Sequence, residues 1–190
     1  MRILVTGANG FMGSYLAKRL IEKKFRILKV DKEISNNKNI TKINLLNEKE
    51  IFKKLNNYNI EKIIHFAAIS DIDYSVNNPK KTINDNYLMT LNLLNFCKDK
   101  KIKNFDFASS IYTYSSQGSF YRISKILCEE LIQEYSRLFK INFNILRYGS
   151  LIGLNLRDNN PINSMIRNAL DKGVIYRTGF GDEIRKYIFI

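Results

Sequence analysis

Tyr121 and Lys125 are the residues whose types and spacing best suit chemistry, because they form a Y-x-x-x-K pattern at the start of a predicted helix. Side chains four residues apart lie on one helical face, one turn from each other. A nearby ammonium favours phenolate, so we expect Lys125 to lower the pKa of Tyr121 toward neutrality. Tyr121 would then act as a general acid or base for a hydroxyl or a carbonyl. The alternative is an ordinary surface pair, because the pattern is common by chance.

Two serines end the predicted strand that precedes this helix. Ser109 and Ser110 close the run 105–110, and a hydroxyl at the carboxyl end of a parallel strand faces the ligand crevice of the sheet. Ser110 can there hydrogen-bond both the reacting oxygen and the Tyr121 hydroxyl. The alternative is that the two serines only end a strand and begin a turn.

Three glycines near the start of the chain have the spacing G-x-x-G-x-x-G between an apolar run, residues 1–6, and a predicted helix. Gly7 lets the chain turn tightly off the strand, Gly10 leaves room for a pyrophosphate, and Gly13 lets the helix pack close to the sheet. The N-terminus of the helix offers free N–H groups and its positive dipole end to phosphates. The pattern therefore predicts a dinucleotide-binding turn.

Asp31 follows this turn at the distance expected for a residue that contacts an adenosine ribose. It ends the second predicted strand, and its carboxylate can accept hydrogen bonds from the ribose while repelling a 2′-phosphate. This favours NAD over NADP, although the neighbouring Lys32 could tolerate the extra phosphate. The alternative is that Asp31 merely ends a strand.

Strand-like and helix-like segments alternate along the chain, which predicts an α/β fold with a doubly wound parallel sheet of the Rossmann-like kind. The predicted strands lie near 2–6, 25–31, 40–45, 60–68, 104–110 and 142–149. The predicted helices lie near 11–23, 47–57, 80–99, 119–140 and 161–172. A loose Asn/Lys segment at 35–39 is expected to be a mobile loop.

Composition excludes several classes of protein. The chain has 190 residues, 45% of them hydrophobic, which suits one domain with a good core. No apolar run approaches the length of a membrane span, so we expect a cytoplasmic protein without a membrane partner. The net charge of +13 is spread in ones and twos, so we expect no nucleic-acid partner. Cys97 and Cys128 are expected to be free, half-buried thiols, and no metal is expected.

Together these signals resemble the extended short-chain dehydrogenase/reductase family, in its NAD-dependent nucleotide-sugar epimerase/dehydratase branch. The resemblance runs from Met1 to the end of the chain. The matching segments are 6–13, Asp31, 65–68, 86–94, Ser109 and Ser110 with Tyr114, 121–125, 146–149 and 181–188. Such a family also suggests a place in polysaccharide biosynthesis.

The resemblance implies a role for each matching position. Ser110, Tyr121 and Lys125 would form the catalytic triad, and Ser110 and Arg185 would bind the nucleotide sugar. His65 would have no part in chemistry, and we expect a packed, hydrogen-bonded histidine there. The residues implied to bind NAD are Gly7, Gly10, Phe11, Met12, Gly13, Asp31, Asn44, Leu45, Phe66, Ala67, Ala68, Asn86 and Lys125.

Departures from the family pattern narrow the expected function. Ten residues separate Ser110 from Tyr121, where the family has a longer loop, and Ser110 is not followed by the Asp-Glu of 4,6-dehydratases. Residues 1–150 are expected to form an NAD-binding domain, and 151–190 only the start of a substrate-binding lobe. An NAD-dependent nucleotide-sugar epimerase is the first interpretation, ahead of a reductase and then a dehydratase. A non-catalytic NAD-binding module is the alternative from another class.

Helices 80–99 and 119–140 carry wide apolar stripes. Two such helices from each of two subunits would form a four-helix interface, so we expect a homodimer. The alternative is that both stripes only contact the core. The stripe residues are Ile83, Tyr87, Leu88, Leu91 and Leu94, and Ile126, Leu127, Leu131, Ile132, Tyr135 and Leu138.

Overall fold

The structure of the protein is a computed structural model that describes residues 1–33, 39–153, 161–176 and 187–190. The chain divides into two compact units, Met1–Arg147 and Tyr148–Ile190. The segment 35–39, expected to be a mobile loop, lies outside the described residues except for Asn39. Within the described ranges, no helix is long and apolar enough to cross a membrane.

A six-stranded sheet forms the centre of the first unit. Its strands are β1 (Arg2–Thr6), β2 (Arg26–Asp31), β3 (Thr41–Lys42), β4 (Lys62–His65), β5 (Asn104–Ser110) and β6 (Asn142–Tyr148). They stand in the order β3-β2-β1-β4-β5-β6, and the pairings from β3 across to β5 are parallel. The order reverses between β1 and β4, and the carboxyl ends of strands at such a point form the ligand crevice of open α/β sheets.

Helices connect the strands of this sheet. They are α1 (Phe11–Glu22), α2 (Glu48–Leu55), α3 (Ile72–Asn77), α4 (Pro79–Lys100) and α5 (Ser119–Phe139), and a 3-10 helix, Ile111–Tyr114, follows β5. In the second unit, β7 (Ser150–Ile152) pairs in parallel with β8 (Tyr187–Phe189). The second unit also contains α6 (Pro161–Lys172).

Two apolar cores lie on opposite faces of the sheet, because successive side chains of a strand point to opposite faces. Leu4 of β1 packs on one face with Ile63 of β4 and with residues of α2, α4 and α5. Its neighbours Ile3 and Val5 pack on the other face against α1. Burial on both faces explains why β1 is a continuous apolar run instead of an alternating one.

Two strands are shorter than predicted. Only Thr41–Lys42 forms β3, because Asn44 turns the chain soon after it and its Oδ1 accepts a hydrogen bond from the Leu46 N–H at 3.1 Å. Such an Asx turn is incompatible with an extended strand through this segment. β4 ends at His65, and the three residues after it are irregular.

The short helix α3 is absent from the predicted elements. It begins after Asp71, whose Oδ1 accepts a hydrogen bond from the Tyr74 N–H at 2.9 Å. An aspartate in this position is a typical helix N-cap. The helix spans only six residues, which is too short for a helical hydrophobic period to stand out.

Candidate active site at the carboxyl edge of the sheet

The glycine turn follows β1 directly, and two of its glycines occupy positions where no side chain fits. Gly7 has φ +64°, and a Cβ there would come within 2.7 Å of the Ala67 nitrogen beyond β4. A Cβ on Gly13 would come within 2.1 Å of the Gly7 carbonyl oxygen. Gly13 was expected to bring α1 close to the sheet. The surface it approaches most closely is the turn itself.

The start of α1 suits an anion. Gly10 precedes the helix, and none of the described side chains caps its N-terminus. The N–H groups of a first helical turn, including those of Phe11 and Met12, have no acceptor within the helix and carry its positive dipole end. These features fit the phosphates of a dinucleotide.

Asp31 lies beside the glycine turn. Its Oδ2 accepts a hydrogen bond from the Asn9 N–H at 2.9 Å, and its Oδ1 accepts one from the Glu33 N–H at 3.3 Å. The residue is only half-buried, so its carboxylate oxygens keep lone pairs for further donors. This placement fits contact with the hydroxyls of an adenosine ribose.

The structure brings Ser110, Tyr121 and Lys125 together from two elements. Ser110 is the buried last residue of β5, and its hydroxyl lies near enough to the Tyr121 phenol to lower the pKa of that phenol. Tyr121 lies in the first turn of α5, and the Lys125 Nζ lies 5.6 Å from the centre of the Tyr121 ring. β1 and β5 both run parallel to β4. Their carboxyl ends therefore place Ser110 at the same edge as the glycine turn.

The expectation that Lys125 brings the pKa of Tyr121 toward neutrality is wrong for the folded chain. Burial raises the pKa of Tyr121 to about 12, and the nearby Ser110 hydroxyl offsets only part of the rise. The Lys125 ammonium donates instead to the Ala108 carbonyl oxygen at 2.7 Å and lies 4.6 Å from the centre of the Phe107 ring. At neutral pH Tyr121 is therefore a protonated phenol.

Lys125 is completely enclosed, and this environment weakens its hold on a proton. Burial lowers the pKa of Lys125 to about 8, while the negative charge of the Glu129 carboxylate acts in the opposite direction. Lys125 is therefore mostly cationic at pH 7 and loses its charge only slightly above that pH.

His65 is a packed, hydrogen-bonded histidine, as predicted. Its ring is 1% exposed, with Nδ1 2.7 Å from Thr6 Oγ1 and Nε2 3.3 Å from Thr90 Oγ1. Burial lowers the pKa of His65 to about 3. The imidazole is neutral at physiological pH and links β1, β4 and α4.

The two cysteines are free, as predicted, but they are more buried than expected. Cys97 is 0% exposed and Cys128 is 1% exposed. Burial raises the pKa of the Cys128 thiol, although Lys125 and a hydrogen bond from Thr90 oppose the rise. A thiol in this state is a small core residue and a poor nucleophile.

Asn86, expected at the cofactor, uses its buried side chain to hold protein segments together. Its Oδ1 accepts a hydrogen bond from the Ile69 N–H at 2.7 Å. Its Nδ2 donates to the Ile69 carbonyl oxygen at 3.0 Å and to Ser124 Oγ at 2.9 Å. Asn86 thus fixes the segment after β4 against α5, and its contact with a cofactor stays a prediction.

The other residues expected around the cofactor lie at different depths. Phe66, Ala67 and Ala68 are half-buried beyond the end of β4, beside the glycine turn. Leu45 belongs to the core, and its carbonyl oxygen accepts a hydrogen bond from Asn92 Nδ2 at 2.8 Å, whereas Asn44 is exposed.

Arg185, expected to bind the nucleotide sugar, lies outside the described residues. Among the residues that the structure does describe, no cluster of His, Cys, Asp or Glu could hold a metal ion.

Sequence reasoning missed Glu129 and Arg147, which lie near Lys125 and Ser110. Glu129 is 5% exposed, and its carboxylate accepts hydrogen bonds from Arg147 and from Ser109. The available signal was the spacing, because Glu129 follows Lys125 by four residues on the buried face of a helix.

The sequence profile of the NAD dependent epimerase/dehydratase family matches residues 3–190. The chain belongs to this family. It is 29% identical over 218 residues to the uncharacterized UDP-glucose epimerase YtcB of Bacillus subtilis, and the match covers 100% of this chain and 69% of YtcB. The family resemblance stated from the motifs is therefore confirmed.

Solved structures have the same fold. The UDP-glucose 4-epimerase of Thermotoga maritima, crystallised with UDP-glucose, superposes with a TM-score of 0.92 at 22% identity, over 100% of this chain and 69% of that one. The Thermus thermophilus UDP-glucose 4-epimerase, in complex with NAD, gives 0.87 at 24% identity, over 100% and 70%. These likenesses confirm the predicted α/β Rossmann-like fold.

Proposed function

We propose that this chain forms the NAD-binding and catalytic part of a nucleotide-sugar 4-epimerase. The observation that carries the proposal is the convergence of Ser110, Tyr121 and Lys125 at the sheet edge that also holds the glycine turn. The chain spans 69% of the length of YtcB. Turnover by the chain and the binding of a nucleotide sugar through Arg185 are therefore both parts of the proposal.

NAD fits the residues at this edge. The side-chain-free positions Gly7 and Gly13, and the uncapped first turn of α1, accommodate a diphosphate. Asp31 suits a ribose that carries free hydroxyls and disfavours one that carries a 2′-phosphate. The chemistry that NAD supplies when bound is reversible acceptance of a hydride from a sugar carbon.

The chain's own residues handle the proton that accompanies this hydride. As the phenolate, Tyr121 would take a proton from the sugar 4-hydroxyl, and as the phenol it would return that proton to the oxygen of the 4-keto sugar. The pKa of Tyr121 is about 12 even with Lys125 one turn away, so further positive charge, such as that of an oxidised nicotinamide, would be needed for the phenolate to form near neutral pH. Ser110, whose hydroxyl lies near the phenol, would orient the sugar oxygen toward it.

A reductase would use the same three residues in one direction only, with a reduced cofactor entering from solution. A dehydratase is disfavoured, because Ile111 and Tyr112 follow Ser110 where an acid and a base are needed for loss of water. A non-catalytic module is disfavoured because a protein that only binds NAD has no need for all three residues of the triad.

Calorimetric titration with NAD, NADH and NADPH, followed by an assay of UDP-glucose and UDP-galactose interconversion, tests the proposal. We expect NAD and NADH to bind, and NADPH to bind about tenfold more weakly because of Asp31. Interconversion should occur without net consumption of NADH. Stoichiometric consumption of NADH would favour the reductase, and binding of none of the three cofactors would refute the proposal.

Tyr121→Phe removes the proposed acid and base. We expect turnover to fall by a factor of about 100 to 10,000 while the affinity for NAD changes by less than about threefold, because the glycine turn and Asp31 are intact. Tyr58→Phe, an exposed tyrosine away from this edge, is the control and should leave turnover unchanged. Unchanged turnover in Tyr121→Phe would contradict the assigned role.

A further inference from the structure

An ion pair between an enclosed carboxylate, Glu129, and a half-exposed guanidinium, Arg147, lies next to the proposed catalytic residues. Glu129 is 5% exposed on α5, and its Oε1 accepts a hydrogen bond from Arg147 Nε at 3.0 Å. Its Oε2 accepts a second one from Arg147 Nη2, so the carboxylate and the guanidinium meet in a two-pronged contact. The Ser109 hydroxyl also donates to Oε1. Three elements, α5, β6 and β5, thus meet at one carboxylate.

Arg147 extends the same network toward the surface. Its Nη1 donates to the Tyr114 hydroxyl, and its guanidinium carbon lies 4.5 Å from the centre of the Tyr114 ring. Tyr114 is 75% exposed and ends the 3-10 helix that follows Ser110. A side chain this exposed is fixed here by its contacts with one arginine.

Each residue of this network lies close, along the chain, to a residue of the triad. Ser109 precedes Ser110 by one residue, and Glu129 follows Lys125 by one helical turn. Tyr114 lies on the connection that runs from Ser110 to Tyr121. The network therefore contacts each segment that carries a triad residue, without contacting the proposed reacting atoms.

This ion pair is a poor way to gain stability, because the cost of removing the Glu129 carboxylate from water offsets part of its attraction to Arg147. Apolar side chains of similar volume would pack there at least as well. Arginine and glutamate do offer a fixed two-pronged geometry and a permanent negative charge beside Lys125.

We propose that Glu129 and Arg147 are positioning residues for the proposed active site: their ion pair fixes Ser110 and Lys125 relative to each other, and the Glu129 carboxylate keeps Lys125 in its cationic form. The positioning of Ser110 and Lys125 for catalysis rests on the proposed function, whereas the effect on the charge of Lys125 does not.

The charged surroundings of Lys125 support the second part. On its own helix Lys125 is faced by Tyr121, Cys128 and Glu129, and from β4 by His65, which is neutral. Burial lowers the pKa of Lys125 to about 8, and the charge of Glu129 acts against this. Removing the Glu129 charge should lower the pKa further. Removing the Arg147 charge should raise it, because the field of Glu129 is then no longer balanced.

Two substitutions provide the test, one that removes a negative charge and one that removes a positive charge. The protein is labelled with 13C-lysine, the Lys125 Cε signal is assigned with Lys125→Met, and its chemical shift is followed against pH. We expect Glu129→Gln to lower the titration midpoint by at least about half a unit and Arg147→Gln to raise it. Glu134→Gln and Arg137→Gln remove the exposed ion pair of the same helix. They are the matched controls, and neither should move the midpoint.

Midpoints that stay in place, or that move in the same direction in both variants, would overturn the proposal, since a merely structural pair produces no shifts of opposite sign. If Glu129→Gln fails to fold by circular dichroism, Glu129→Asp replaces it. Glu129→Asp keeps the negative charge but moves the carboxylate farther from Lys125. The titration midpoint of Lys125 should therefore fall slightly in Glu129→Asp, by less than the rise expected in Arg147→Gln. An unchanged midpoint in both of these variants would again overturn the proposal.

Turnover separates this inference from the proposed function. With an active wild-type chain, we expect Arg147→Gln to lower kcat at least about tenfold with little change in KM, because alignment is lost and substrate contacts are not. Equal kcat in Arg147→Gln and Arg137→Gln would overturn the positioning role. An inactive wild-type chain that shows the opposite midpoint shifts would refute the proposed function and support the electrostatic role of Glu129.

Discussion

At the scale of single residues, substitutions of Gly13 and Gly10 are expected to impair different properties, stability in the first case and NAD affinity in the second. A Cβ on Gly13 would lie 2.1 Å from the Gly7 carbonyl oxygen, so the turn and α1 cannot both keep their positions. We expect Gly13→Ala to lower the free energy of unfolding by about 3 kcal/mol, measured by urea denaturation. A loss below about 1 kcal/mol would mean that the turn adapts easily.

A substitution at Gly10 is expected to affect ligand binding more than folding stability. A Cβ there would lie 3.1 Å from the Gly7 carbonyl oxygen, which a small backbone shift can relieve. We expect Gly10→Ala to change stability by less than about 1 kcal/mol. Its affinity for NAD should fall at least about tenfold, because the methyl group occupies the path of the diphosphate. Calorimetry that shows wild-type affinity in this variant would remove the phosphate role from the glycine turn.

His65 predicts how stability depends on pH. The folded-state pKa of about 3 lies below the unfolded value of 6.5. The unfolded chain therefore binds the extra proton first, and stability present above pH 6.5 is lost as the pH falls. Between pH 7 and 5.5 the loss should be about 1 kcal/mol. It should vanish in His65→Gln, because the sequence has only one histidine. Equal losses in both proteins by urea denaturation would contradict this origin.

Features of these residues that depend on local spacing can be predicted from the sequence, whereas features that depend on tertiary packing cannot. The tight turn at Gly7 and the placement of Asp31 beside it are predictable from spacing along the chain, because a unit of strand, glycine turn, helix and strand brings the end of the second strand beside the turn. The pKa of Tyr121 depends on how much protein encloses the phenol, and the Y-x-x-x-K pattern carries no information on that. The same holds for Glu129, whose partners come from β5 and β6.

At the scale of elements, the connection from β5 to α5 is the feature most distinctive of this chain. Gly118 has φ +93°, and a Cβ there would lie 2.8 Å from the Tyr112 ring. The next residue, Ser119, also has a positive φ, 47°. A short connection that packs a tyrosine ring against its own backbone holds Ser110 and Tyr121 at a fixed separation.

Gly118→Ala is expected to strain this connection. We predict a loss of about 1–3 kcal/mol in stability, with a fall in turnover larger than any change in NAD affinity. Gly118→Ala combined with Tyr112→Ala removes the clash with the ring but keeps the unfavourable φ, so it should regain only part of the stability. Full recovery in the double variant, measured by thermal and urea denaturation, would show that φ at this position costs nothing.

Long elements were predictable from the sequence, both in existence and in bounds, whereas short elements were not. The alternation of apolar runs and helical stripes predicted β1, β2, β5, α1, α4 and α5 within one or two residues, because their buried faces repeat over several turns or strand residues. β3 and α3 depended on single side chains, the turn at Asn44 and the cap at Asp71. Signals of one residue do not stand out from an irregular sequence.

At the scale of the whole molecule, α4 and α5 leave apolar side chains uncovered although they pack on the core. Leu88 is 41% exposed, Leu127 is 40% exposed and Ile123 is 38% exposed. A core explains the inner stripe of each helix, and the expected homodimer would cover the outer residues. The sequence did not distinguish the inner stripe from the outer one, because both have helical spacing.

Leu88→Lys combined with Leu127→Lys tests the homodimer. Burying two ammonium groups in an apolar interface is strongly unfavourable, so the dissociation constant from sedimentation should rise at least about a hundredfold while the monomer stays folded. Ile21→Lys, on α1 and 53% exposed, is the matched control because α1 covers the opposite face of the sheet. If the control alone disrupted the dimer, the interface would lie on α1. A wild-type chain that stays monomeric at high concentration would leave the apolar faces of α4 and α5 without their expected partner.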